Sequence, residues 1–172
     1  MNTDSIIVVD LAEQRLQLRS DHQLRMEVAI ATASNGPGEQ MGSECTPRGW
    51  HQVRAMIGAD APANTVFVGR RATGEIYSPA LRETFPDRDW ILTRILWLSG
   101  LEPGRNRLGP VDTMRRYIYI HGCPDEDVMG VPGSHGCVKM RNADVVALFD
   151  AVAPGVKVYI GDPAEIDSGP MS

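Results

Sequence analysis

Apolar stretches long enough to cross a bilayer are missing from this 172-residue chain. Runs such as residues 6–9 and 95–98 fall far short of the about 20 residues that a membrane helix needs, so no transmembrane segment is expected. Lysine is scarce: of 17 basic residues only Lys139 and Lys157 are lysines, and the rest are arginines. With 22 acidic residues the net charge is −5, which argues against a nucleic-acid partner held by bulk electrostatics. Cysteine is limited to Cys45, Cys123 and Cys137, too few for a disulfide framework and odd in number. Residues 1–5 carry no basic side chain and run straight into the apolar residues 6–9, which is not the pattern of a secretory leader, and no lipidation motif is present. These readings predict a cytoplasmic protein with reduced thiols. A periplasmic or cell-wall location follows if a leader has been removed.

What is present is ordinary for a soluble globular protein: 42% hydrophobic and 23% charged residues. The length suits one domain, read here as residues 1–161 with a C-terminal tail at 162–172. Alternating or continuous apolar patterns predict strands at 6–11, 15–19, 24–31, 50–56, 65–68, 75–77, 90–99, 115–121 and 156–160. Leu24, Met26, Val28 and Ile30 share one face of their strand, and Ile118 and Ile120 lie opposite Tyr117, Tyr119 and His121. Ser20, Asp21 and His22 supply a turn, and residues 100–113, with two glycines and two prolines, read as a loop. One helix is predicted, with Asn142 as its cap, Asp144 in the first turn, Val145, Leu148, Phe149 and Val152 on one stripe, and Pro154-Gly155 as the stop. The fold class expected is mainly β, a sandwich of mixed sheets with one main helix packed beside the active site.

Reactive side chains concentrate between positions 121 and 137, in His121-Gly122-Cys123 and Ser134-His135-Gly136-Cys137. A strand ends at His121, and a loop returns to Cys137 just before the helix. Cys137 read as a nucleophile needs an imidazole within reach, and the loop can fold back to bring His121 to it. Backbone N–H groups of Gly136 and Cys137 can then face a developing oxyanion, and the Gly122 carbonyl can orient the ring. Two other readings stand beside this one. Cys137 can be a buried structural thiol. Alternatively, the two His-Gly-Cys units can be zinc donors, although a one-residue spacing strains both ligands toward a single ion.

The run Ser134-His135-Gly136-Cys137-Val138-Lys139-Met140, with His121-Gly122 upstream, resembles the signature of the L,D-transpeptidase (YkuD-type) catalytic domain. The opening Ile6-Ile7-Val8-Val9-Asp10, the turn Thr46-Pro47-Arg48-Gly49 and the segment from Asn142 to Val158 are also similar to that family, so the resemblance covers roughly residues 5–161. It implies a cysteine acyl-transfer enzyme acting on peptidoglycan stem peptides or muropeptides at the bond between diaminopimelate and D-Ala, with a thioester on Cys137. Acylation by carbapenem-type inhibitors is implied too, and no metal or other cofactor. By resemblance His121 is the base, Gly122 the orienter, and Gly136 and Cys137 the oxyanion donors, with Ser134, His135, Lys139 and Arg141 supporting the site or the substrate. Arg94, Arg105, Arg107, Arg115 and Arg116 are further candidates for substrate carboxylates. The chain departs from the family pattern at Lys139, a point charge where a fork or amide is usual, and at Cys123, which raises the idea of a Cys123–Cys137 disulfide switch. Without an export signal the reaction expected is hydrolysis of muropeptides, an L,D-carboxypeptidase step. The alternatives are a cross-linking transpeptidase exported by an unseen signal and a non-catalytic wall-peptide binder.

Overall fold

Strand-forming residues dominate the computed structural model, which describes residues 5–168; what was expected of residues 1–4 and 169–172 lies outside them. Ten strands form: β1 (Ile6–Asp10), β2 (Arg15–Ser20), β3 (Gln23–Ala31), β4 (Gly49–Ile57), β5 (Thr65–Val68), β6 (Arg71–Ile76), β7 (Ile91–Gly100), β8 (Tyr119–Gly122), β9 (Val138–Met140) and β10 (Lys157–Gly161). They make one sheet in the order β4-β10-β1-β2-β3-β9-β8-β7-β5-β6, and β4 also pairs with β7. Eight strands therefore close into a barrel-like sandwich, from which the β5–β6 hairpin branches off β7. Strand directions are mixed: β1 runs parallel to β10 and β8 parallel to β9, while the other pairs are antiparallel.

The core follows the two-residue period of the strands. Ile7 and Val9, Leu16 and Leu18, Leu96 and Leu98, Ile120, and Val158 and Ile160 point inward together. The helix α2 (Asn142–Ala151) adds Val145, Leu148 and Phe149 to the same cluster and packs on β7 and β8. A smaller cluster lies on the other face of β7 and β8, where Phe67, Ile95 and Tyr119 are buried and Trp97 and Cys137 pack against them. The mainly β sandwich with one main helix is thus present, and its second face carries the reactive side chains.

Several local expectations are corrected. Residues 115–118 are not strand. Asp112 accepts hydrogen bonds from the N–H groups of Leu108 (2.6 Å) and Arg115 (2.9 Å), and Arg116 N–H reaches the Asp112 carbonyl (3.1 Å), so the chain turns before β8 begins. Asn142 does not cap α2. Its side chain turns away to Thr93 and Asn64, and Arg141 takes the N-cap position without a side-chain hydrogen bond. Leu24 is exposed, because only the end of β3, at Ile30 and Ala31, pairs with β9. Residues 163–168, read as part of a loose tail, form a 3-10 helix (Pro163–Ser168) against β10, where Tyr159 Oη donates to Glu165 at 3.2 Å. The short helix α1 (Pro79–Thr84) was not foreseen, although its start is conventional: Ser78 Oγ accepts from Leu81 N–H and Pro79 occupies the first turn.

Candidate active site

The parallel pairing of β8 with β9 sets the geometry of the site. Ile120 lies beside Val138 and His121 beside Lys139, so Cys137, one residue before β9, falls next to Tyr119. With the strand period, His121 and Cys137 then share the outer face of the sheet. Both line a cavity of about 510 Å³, together with Arg70, Asp89, Arg116, Tyr117, Tyr119, Ser134 and His135.

His121 is 1% exposed, and its Nδ1 lies 2.6 Å from the carbonyl of Gly122. A carbonyl only accepts, so Nδ1 carries the proton and Nε2 keeps its lone pair. No hydrogen bond among the described residues reaches Nε2. Burial holds the imidazole below its ordinary value of 6.5. Only glycine fits at 122: a Cβ there would lie 2.3 Å from Asn142 Oδ1 and 2.7 Å from the Leu92 carbonyl. The neighbouring bulge in β7 places Thr93 at φ +76°, held by hydrogen bonds from Thr93 Oγ1 to Asn142 Oδ1 (2.6 Å) and from Asn64 N–H to Thr93 Oγ1 (3.0 Å).

The sulfur of Cys137 is half-buried. It accepts from Tyr119 N–H at 3.3 Å and donates to the Tyr117 carbonyl at 3.4 Å. Burial pushes its thiol up to about 12. Burial thus favours the neutral form of both side chains.

The turn before Cys137 is built from hydroxyl groups. Ser134 Oγ donates to the Cys137 carbonyl (2.5 Å) and accepts from Gly136 N–H (3.2 Å), so this N–H, read as an oxyanion donor, is engaged internally in this conformation. Thr46 Oγ1 donates to the Gly136 carbonyl and accepts from Ala33 N–H, both at 2.9 Å. The Thr-Pro-Arg-Gly turn thus braces the reactive loop, a role that its sequence position did not reveal.

Other expected residues separate. His135 is exposed and lines both this cavity and a neighbouring one of about 330 Å³. Lys139 lines only the second, and its Nζ is held by Asp127 at 2.6 Å, with Arg82 on the same carboxylate at 2.8 Å. Arg141 lines neither, and its guanidinium donates to the Asp125 carbonyl at 2.8 Å. Of the other arginines, Arg94 is buried against the Ala61 and Thr93 carbonyls and Arg105 pairs with Glu102. Arg116 lines the first cavity. Its guanidinium is spent on the Cys45 carbonyl (2.6 Å) and the Gly38 carbonyl (3.2 Å). Cys123 is fully buried, its thiol donates to the Met140 carbonyl, and all three cysteines are free, so the Cys123–Cys137 disulfide is not formed. Among the described residues no three His, Cys, Asp or Glu side chains gather as a metal-ligand set. The sequence reading missed Arg70 and Asp89, which reach the cavity from distant elements, whereas Tyr117 and Tyr119 lie on the His121 face where the alternation placed them.

Comparison with known proteins bears on the family and the fold. The L,D-transpeptidase catalytic domain (YkuD) family matches residues 4–160. The curated protein "Probable L,D-transpeptidase YbiS" of Escherichia coli K12 is 30% identical over 125 residues, covering 67% of this chain and 38% of the relative. The chain thus spans well under half the length of that relative. Among solved structures, LdtMt1 in complex with imipenem superposes with a TM-score of 0.55 at 15% identity, over 91% of this chain and 58% of the other. L,D-transpeptidase 3 from Mycobacterium tuberculosis, with a faropenem-derived adduct, gives 0.57 at 14% identity, over 92% and 60%.

Proposed function

The chain belongs to the L,D-transpeptidase catalytic-domain family, and from that premise we propose that it transfers acyl groups of peptidoglycan stem peptides through a thioester on Cys137. The observation that carries the proposal is the shared cavity: Cys137 and His121 line it together, and the Gly122 carbonyl leaves Nε2 as the basic ring nitrogen. In this reading Nε2 takes the Cys137 proton as sulfur attacks the carbonyl carbon between diaminopimelate and D-Ala. The oxyanion is met by Cys137 N–H and by Gly136 N–H once Ser134 Oγ releases it. When the tetrahedral species collapses, the carbon–nitrogen bond breaks and the D-Ala amine takes the proton from His121. An acceptor then attacks the thioester, with His121 again as base.

The acceptor decides the product. Water gives a tripeptide, the L,D-carboxypeptidase outcome, on soluble muropeptides in the cytoplasm. An amine gives a cross-link at the assembled wall. The hydrolytic outcome is the one we propose. Incubation with a disaccharide tetrapeptide and mass analysis tests it: tripeptide is expected, dimer without tripeptide overturns hydrolysis, and undiminished turnover by Cys137→Ala overturns the thioester. Carbapenem-type β-lactams are expected to add their mass to the wild-type protein and not to Cys137→Ala. A protein that binds muropeptides without turnover and resists the β-lactam is a wall-peptide binder instead.

A further inference from the structure

The two residues whose backbones bracket the sulfur also carry the rings that hold a cation. Cys137 Sγ contacts the Tyr119 N–H and the Tyr117 carbonyl. The guanidinium of Arg70 lies 4.8 Å from the Tyr117 ring centroid and 4.7 Å from that of Trp97, and its Nη1 donates to Tyr119 Oη at 3.0 Å. Arg70 sits at the tip of the β5–β6 hairpin, in a two-residue turn where Gly69 has φ +57° and Arg70 φ +65°. Left-handed backbone at both positions is what such a tight hairpin turn requires, and it carries the Arg70 side chain out from the hairpin tip toward β7 and β8. Contact with both ring faces and the hydrogen bond to Tyr119 Oη position the guanidinium in advance, which lowers the cost of ordering it on a ligand.

The other cations near the sulfur are committed. Arg116 is bound to carbonyls of the 38–45 loop, and Lys139 to Asp127. Arg70 has no ion pair among the described residues, and it lines the cavity of Cys137. Asp89 is the sole carboxylate lining that cavity.

We propose that Arg70 is the specificity-determining residue that anchors a carboxylate of the acyl donor, through guanidinium donors not used by Tyr119. This rests on the acyl-transfer reading above. Two donor carboxylates qualify, that of the terminal D-Ala and that on the diaminopimelate side chain, and the chemistry at Arg70 is the same for both.

Three disaccharide tetrapeptides separate these sources: one with both carboxylates free, one amidated at the C-terminus and one amidated on the diaminopimelate side chain. KM and kcat are read with wild type, Arg70→Gln and Arg70→Lys. Affinity for the same peptides is read by calorimetry in the Cys137→Ala background, which needs no turnover. One of the two amidations is expected to weaken wild-type binding about 10- to 100-fold, the range for loss of a charge-assisted hydrogen bond. Arg70→Gln should raise KM on the free peptide by a similar factor and make that amidation nearly silent, with Arg70→Lys in between. An amidation penalty as large in Arg70→Gln as in wild type overturns the proposal. So does a loss confined to kcat, or a failure of all three peptides to bind. An inert wild type that still shows the Arg70-dependent binding difference overturns the acyl-transfer reading and leaves the anchor standing.

Discussion

His51 on β4 and His121 on β8 are anchored alike and employed differently. Each is buried on a strand, and each lays Nδ1 against a backbone carbonyl, Gly49 at 3.0 Å and Gly122 at 2.6 Å. Burial lowers both imidazoles, His51 to about 4. The difference lies in Nε2. That of His51 lies 2.9 Å from Thr113 Oγ1, which ties β4 to the 100–113 loop, whereas that of His121 has no partner among the described residues and borders a cavity. A histidine with both nitrogens engaged is a strut; one with a single nitrogen engaged is aimed. Burial and proton affinity alone do not tell them apart.

The largest effect expected from this contrast comes from exchanging each ring for an amide. His121→Gln should lower acyl transfer by about 1,000-fold, within the usual range for loss of a general base, with little change in melting temperature. His51→Gln should do the reverse, losing about 2 kcal/mol of stability through two broken buried hydrogen bonds while keeping kcat per folded molecule. Steady-state kinetics beside thermal melts read both, and a catalytic defect in folded His51→Gln would break the distinction.

A next, smaller effect is pH-dependent. The unfolded His51 takes up a proton near 6.5 and the folded one near 4, so stability is complete above pH 6.5 and falls as the pH drops toward 4. The decline assigned to His51 is about 3 kcal/mol over that window, at 1.4 kcal/mol for each pH unit of separation, and part of it has already accrued at pH 5.5. Urea titrations at several pH values measure it, and His51→Gln should flatten the slope. His121 contributes in the same direction, and it places the acid limb of kcat/KM below pH 6.5.

The smallest effect sharpens the comparison to one atom. Thr113→Val removes the partner of His51 Nε2 and should cost about 1 kcal/mol, the net worth of a buried hydrogen bond. The imidazole freed in this way should stay inert toward the substrate, because His51 is fully buried and lines neither of the two cavities described above. Urea midpoints and turnover check the two halves of that statement.

Much of the site was legible because its core lies in two contiguous segments. His121-Gly122 and Ser134 to Met140 are neighbours on paired strands, and the alternation of Ile118 and Ile120 with Tyr119 and His121 already separates core from cavity. Less legible were groups that depend on how the barrel closes. Arg70 arrives from a hairpin tip 67 positions before Cys137, and neither its spacing nor its surroundings in sequence mark it. Asp112 ends the apparent strand before Tyr119 by taking backbone N–H groups, a local competition that strand periodicity does not register. Asn142 looked like a helix cap because its type and place are right, yet Thr93 and Asn64 outbid the helix for its amide. Lys139 looked available, and Asp127 had already claimed it.

The brace from Thr46 to the Gly136 carbonyl spans 90 positions. It has a consequence for how the protein comes into being. β10 joins β1 to β4, and so closes a sheet that the β3–β9 and β4–β7 pairings already link. A nascent chain that lacks it already carries the sulfur and the imidazole, but not the closed scaffold that holds their loop in place. Contacts this distant are made late and slowly. The order of the Cys137 loop is therefore a property of the closed barrel and not of the short segment that carries its residues.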